Sequence, residues 1–313
     1  MQTQGVAPPA TASTSAARPA ARLHLSRFAL FVAPAVLVYA AFALYPMIDV
    51  FHLSFLKWNG MTPEREFVGL SNYTQVFTAD PVFWGAFRNT IIWTGMSVVV
   101  PPFIGFGLAL GLNQRIPGRT PLRALFYLPV IIAPIAVATI WRWMYDPFFG
   151  LMNASLASLG LQGLIRDWIG DGKIALYFVF VGYVWQTTGF SLVLFLAGLQ
   201  GVSPTLVDAA RIDGAGRRQV FTHVTLPALR STITIVVILS LINSLKAFDI
   251  VYGMTGGGPA QATQMLAMWA YTQAMQLGDF GRGSAISVVL LLITMAIVIP
   301  YLRWTLRREG AAR

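Results

Sequence analysis

The sequence predicts an all-α membrane protein in which six transmembrane helices are joined by short links and one long polar loop. Three observations carry this. Of its 313 residues 56% are hydrophobic and only 11% charged, above the apolar share and below the charged share of ordinary soluble domains. Six apolar stretches approach or exceed the roughly 20 residues that a helix needs to cross hydrocarbon. The arginines fall heavily on one side of the arrangement these stretches define.

Residues 1–22, MQTQGVAPPATASTSAARPAAR, are too rich in Ala, Pro, Ser and Thr to pack, so a disordered N-terminal tail is expected through residue 27. The six-span domain then covers residues 28–306. Its spans read as Phe28 to Val50, Ala86 to Leu112, Leu122 to Tyr145, Ile174 to Leu199, Ala228 to Tyr252, and Ser284 to Leu306. The first is too long for a secretory signal, and its positive flank fits an uncleaved span. Residues 307–313 form a short C-terminal tail.

Six crossings put both termini on one side. The termini, the link around Arg115 to Arg123 and the segment Gly201 to Arg230 carry fourteen arginines against Asp208, Asp213 and Glu309. The opposite side holds seven basic residues against eight acids, counting Asp49 at the membrane edge. The positive-inside rule therefore makes the termini cytoplasmic. The net charge of +10 reflects this topology and contact with anionic lipid, not nucleic acid.

Several chemistries are excluded. Cysteine is absent, and His24, His52 and His223 lie in separate polar segments with no carboxylate pair at ligand spacing, so no metal site and no catalytic residue is expected. The run Gly256 to Gly258 lacks the Gly-Lys-Ser/Thr of a phosphate-binding loop; its expected role is a turn after the fifth span.

The polar loop, about residues 201–230, has an internal design. Ser203-Pro204 places a capping residue before a proline at the first helical position, so a short helix carrying Asp208, Ala209 and Ala210 begins there. Gly214 and Gly216 allow a sharp turn. A second short helix, Arg217 to His223, follows, and Leu226-Pro227 leads into the fifth span. Composition alone favours a connector that obeys the charge rule over a protruding knob with a basic tip.

Spacing separates the two. Asp208-Ala209-Ala210, three residues, Gly214, nine residues, and Val224-Thr225-Leu226-Pro227 resemble the EAA loop of ABC importer permeases, with Asp for Glu and Val for Ile. The resemblance runs from about residue 28 to the C-terminus and is nearest the carbohydrate (maltose and glycerol-phosphate) group, supported by LPVIIAPIAVATIWRWMYDPFFGLMN from Leu128 and FDIVYGMTGGGPAQATQ from Phe248. It implies that Asp208, Ala209, Ala210, Gly214, Arg217, Val224, Leu226 and Pro227 belong to a coupling helix seated in a cleft on a separate ATPase.

Polar residues inside spans are the default candidates for a transport path. They are Gln186, Thr187, Thr188 and Ser191 in the fourth span, and Ser240, Asn243 and Ser244 in the fifth. Ser240 and Ser244 share a helical face, and the resemblance carries sugar-contacting positions onto Ser240, Ser244 and Ala247. The competing role is interhelical hydrogen bonding, about 0.6 kcal/mol each. Lys246 and Asp249 stand near enough along a helix to pair, and Trp141 and Trp143 near Asp146 read as an interfacial anchor.

The resemblance implies a non-enzymatic permease subunit in a bacterial cytoplasmic (inner) membrane. It would translocate a sugar or sugar-like solute delivered by an external solute-binding protein. A second permease chain and two cytoplasmic ATPase subunits, which hold ATP and Mg2+, would complete the importer; this chain itself binds no cofactor. A secondary, ion-coupled transporter is the alternative, and would need a titratable group deep in the bundle. A membrane-embedded enzyme comes third, for want of a cysteine, a histidine pair or a buried carboxylate dyad.

Overall fold

The computed structural model describes residues 20–114 and 116–310. Arg115 and the predicted tail segments 1–19 and 311–313 lie outside the described residues. The chain divides into two units, Met1–Asp49 and Val50–Arg313. In the first, α1 (Ala20–Tyr39) passes through a π turn, Ala40–Leu44, into the start of α2 (Tyr45–Leu53), whose last residues belong to the second. Residues 20–27, assigned to the tail from composition, are therefore helical. Ala, Leu and Arg are strong helix formers, and no proline interrupts them before Pro34.

In the second unit, which also holds the short helices α3 (Ser71–Thr78) and α7 (Leu151–Ser158), three of the predicted spans are continuous helices: α4 (Pro81–Leu112), α8 (Ala175–Gln200) and α15 (Phe280–Gly310). α4 starts ahead of the predicted Ala86 because Asp80 caps it. One carboxylate oxygen accepts from the amides of Val82 and Phe83 at 3.0 and 3.1 Å, and Pro81 occupies the first turn, where its missing N–H costs nothing. α15 extends through residues 307–310 of the predicted C-terminal tail.

The other two predicted spans are each a bent pair of helices. α5 (Arg119–Tyr127) enters a 3₁₀ turn, Leu128–Ile131, and α6 (Pro134–Met144) departs at 99° from that first half. Pro134 explains the corner, since the residue before a proline is pushed out of the helical region and Ala133 sits at ψ 136. In the fifth, the short helices α10 (Arg217–Val220) and α11 (Leu226–Ala228) meet α12 (Arg230–Leu245) at 60°. α12 then stops, and α13 (Asp249–Thr255) begins anew. No proline or glycine marks this second stop. It is fixed by packing: Ala247, Ile250, Val251 and Met254 are buried with Trp93 of α4 and Val137 of α6.

α8 is the centre of the unit. Trp93 stands edge-on to Phe180 with ring centroids 5.1 Å apart. A Cβ at Gly105 of α4 would lie 2.7 Å from that of Ser191, and one at Gly189 would collide with the backbone carbonyl of Phe126 in α5. Absent side chains thus let α4 and α5 approach α8 closely. Trp141 likewise turns inward to Tyr145, at 5.3 Å, whereas Trp143 is 69% exposed; of the two expected anchors only Trp143 faces outward.

The end of the bundle opposite the 201–230 loop is clasped. A two-stranded hairpin, β1 (Leu56–Lys57) against β2 (Glu66–Phe67), packs Trp58 on Phe280. The glycine run forms the expected turn, with Gly256 left-handed at the end of α13 and Gly258-Pro259 cis. Asn89 holds the following loop through hydrogen bonds from its amide to the carbonyls of Ala262 and Gln264, at 2.9 and 3.0 Å. The free oxygen of Asp80 accepts from Trp269 Nε1, in α14 (Leu266–Tyr271), at 2.7 Å.

Gly189→Val should force α5 away from α8, at a cost of about 1–3 kcal/mol by overpacking. Thermal denaturation in detergent should show a lower transition temperature than for Gly107→Val, where nothing lies within 4 Å.

Candidate functional site

A cavity of about 400 Å³ lies where the broken spans meet α4 and α8. Gln186, Thr187 and Ser191 reach it from α8, and Ser240 and Asn243 from α12. Two predicted path residues do not. Thr188 is buried, its hydroxyl donating to the Val184 carbonyl at 2.7 Å. Ser244 is fully buried and donates to the Leu241 carbonyl at 2.9 Å. The cavity face of α12 follows the spacing 240, 243, 246, which turns Ser244 toward the packed side with Leu241 and Leu245. Ala247 also lines the cavity but is only 8% exposed.

Part of the polar lining is already committed. Gln186 Nε2 donates to the carbonyl of Ile132 at 3.0 Å, a group released from helical bonding by the corner before Pro134. Thr187 donates to the Tyr183 carbonyl at 2.8 Å. The interhelical role weighed from sequence therefore applies to Gln186 alongside its place on the cavity wall.

Lys246 and Asp249 face the same cavity, with Phe248 between them in sequence. Their expected pairing along one helix fails because the helix ends at Leu245. Among the described residues the ion pairs are Arg211 with Asp208 and Arg282 with Asp279. Ser97 of α4 and Tyr183 also line the cavity, and sequence reasoning missed them. The available signal was the polar series Asn89, Thr90, Thr94, Ser97 along an otherwise apolar span.

The polar loop between α8 and α12 is a knob. α9 (Pro204–Ile212) begins at Ser203-Pro204 as expected, although Ser203 Oγ bonds the Thr205 hydroxyl instead of a backbone amide. It ends in a Schellman motif: Ala215 N donates to the Ala210 carbonyl at 2.9 Å and Gly214 N to that of Arg211 at 3.1 Å. This closure needs a left-handed residue after the helix, and Gly214 supplies it at φ 84. Gly216 is not left-handed; its amide donates to Gln219 Oε1 at 2.8 Å and starts the second helix. That helix runs past His223, continuing through a π turn, Phe221–Thr225, into Leu226–Ala228.

On the knob's outer surface Asp208, Ala209, Arg217 and Leu226 are exposed, and Leu206 and Ile212 present 59% and 86% of their surface. Ala210, Val224 and Pro227 are half-buried. On the inner side Phe221 meets Phe106 of α4 at 6.2 Å, and Phe106 meets Phe195 of α8 at 5.0 Å. An aromatic chain thus ties the knob to the two helices that wall the cavity.

Comparison with known proteins agrees with this architecture. Residues 103–306 match the family described as binding-protein-dependent transport system inner membrane component. The chain is 36% identical over 274 residues to the trehalose/maltose transport system permease protein MalF of Thermococcus litoralis, covering 88% of this chain and 92% of that one. It is 34% identical over 276 residues to the sulfoquinovosyl glycerol transport system permease protein SmoG of Agrobacterium fabrum, covering 88% of each. A bacterial ABC transporter involved in import of the acidic polysaccharide alginate shares the fold, with TM-score 0.80 at 21% identity over 91% of this chain and 96% of that chain. These matches decide against the ion-coupled alternative. A bundle of broken and continuous membrane helices around a polar cavity, matched to that family over most of its length, makes this chain a member of the binding-protein-dependent transport system inner membrane components, the permease subunits of ABC importers.

Proposed function

We propose that this permease subunit translocates a sugar or sugar-like solute handed over by an external binding protein, as one of two different permease chains above two cytoplasmic ATPase subunits. ATP and Mg2+ are held by those ATPases. The termini and the 201–230 loop face the cytoplasm. The knob Asp208 to Pro227 is the handle that the ATPase moves, and the names of the curated relatives support a sugar as cargo.

The observation that carries the reading is the Schellman closure at Gly214, which sets the turn between the two short helices with Leu206 and Ile212 uncovered. Exposed apolar side chains on a polar loop suit insertion into a cleft on a partner. When ATP binding draws the two knobs of an importer together, displacement of this one passes through Phe221, Phe106 and Phe195 to α4 and α8. The walls of the cavity then change their exposure from one side to the other.

Two outcomes test it. In this cysteine-free chain, Thr120→Cys in the first turn of α5 and Gln162→Cys, both exposed, should react with an impermeant maleimide from opposite faces of the membrane; labelling of both from outside intact cells would overturn the orientation. Gly214→Val places a β-branched residue at φ 84, a strain of about 1–2 kcal/mol. The variant should insert with unchanged thermal stability of the bundle. It should either lose the ATPase on purification or keep it with hydrolysis no longer stimulated by loaded binding protein. Full association together with full substrate-stimulated transport would reduce the loop to a connector.

A further inference from the structure

We propose that Lys246, Phe248 and Asp249 form the specificity-determining subsite of the cavity, and that it takes an uncharged sugar ring in preference to a uronate or sulfonate. This rests on the sugar-import reading above. It places the deciding contacts at the break between α12 and α13, not on Ser244, which the cavity does not reach.

Lys246 and Asp249 are the only charged side chains among the described residues that line the cavity. Both are exposed into it, and neither forms an ion pair with the other. A lone charge facing a low-dielectric cavity is costly unless something satisfies it, and here two opposite charges each keep their full hydrogen-bonding capacity. By contrast the amide of Gln186 and the hydroxyl of Thr187 are spent on the carbonyls of Ile132 and Tyr183.

Phe248 adds the third element. Its ring lies almost parallel to Tyr252, at 13° and 5.2 Å between centroids, and meets Tyr271 edge-on, also at 5.2 Å. Both contacts fix the ring at the cavity wall. A pyranose offers what this trio recognises. Its apolar C–H face packs on an aromatic ring, its vicinal hydroxyls donate to a carboxylate, and another hydroxyl oxygen accepts from an ammonium. The lining is neutral as a whole, so the attraction of an anionic sugar to Lys246 is offset by repulsion from Asp249. The cost of desolvating the anion is left uncompensated, whereas an uncharged ring carries no such cost. The cavity therefore discriminates by charge as well as by shape.

The test uses the whole importer, reconstituted in proteoliposomes with its binding protein outside and ATP inside, and [14C]maltose, trehalose and sucrose as probes. Lys246→Gln and Asp249→Asn should each raise the KM for uptake of the sugar that the native complex transports by about tenfold or more, the worth of a hydrogen bond to a charged group. Co-purified ATPase and binding-protein affinity should be unchanged, and Asp249→Glu should recover part of the loss. A second measurement does not depend on transport. In the importer carrying Asn243→Cys, millimolar neutral sugar should slow maleimide labelling while glucuronate should not, and adding Asp249→Asn should let glucuronate protect as well.

A native complex that transports a neutral sugar, with variants of unchanged KM, would overturn this subsite and leave the proposed function standing. Equal protection by glucuronate in the parent background would overturn the charge discrimination. A native complex that takes up none of the three sugars and is protected by none would overturn both the subsite and the sugar reading.

Discussion

Inside hydrocarbon a backbone amide or carbonyl without a partner costs several kcal/mol, and this constraint organises the unit Val50–Arg313. A straight helix satisfies it internally but presents only side chains to a path. Breaking a helix releases polar backbone and makes room, provided that donors are found. At the corner before Pro134 the donor is Gln186. At the end of α12 the chain helps itself, the amide of Ala247 donating to the Ser244 carbonyl at 3.1 Å. The cavity lies between these two repairs, and its uncommitted polar lining comes from side chains such as Asn243, Lys246 and Asp249.

The continuous spans were legible because a long apolar run has one economical solution in a bilayer. The knob was legible at the level of single residues, since Ser203-Pro204 and Gly214 carry local backbone instructions that tertiary packing does not rewrite. The breaks were not equally visible. Pro129 and Pro134 lie within the predicted third span, but hydropathy reads through them. The stop at Leu245 has no local marker, being set by burial of Ala247, Ile250 and Val251 against helices far away in sequence. That is why Ser244 was misplaced and why Lys246 and Asp249 were expected along one helix. The helical start at Ala20 was hidden for a different reason: alanine and arginine suit a tail and a helix alike.

The close approach of α4 and α5 to α8 sets how motion can spread. Where Gly189 lets a backbone carbonyl rest against the helix, there is little slack for side chains to absorb a shift, because packed interiors are dense. The rings of Phe221, Phe106 and Phe195 bridge the knob to the same pair of helices. Under the proposed function, displacement at the knob would reach the cavity walls through these contacts.

The contacts at the other end of α4 bear on how the protein is made. Asp80 reaches Trp269 across 189 positions of sequence. Asn89 reaches Ala262 and Gln264 across 173 and 175, and Thr90 accepts from the amide of Leu266 across 176. During synthesis the chain grows from its N-terminus, so α4 enters the bilayer long before any of these partners exists. Its acid, amide and hydroxyl must stay sheltered, by the insertion machinery or by water at the membrane surface, until α14 has been translated. The clasp is thus a late event in biogenesis, and a ribosome halted before residue 262 would leave Asn89 and Thr90 of α4 still without these partners.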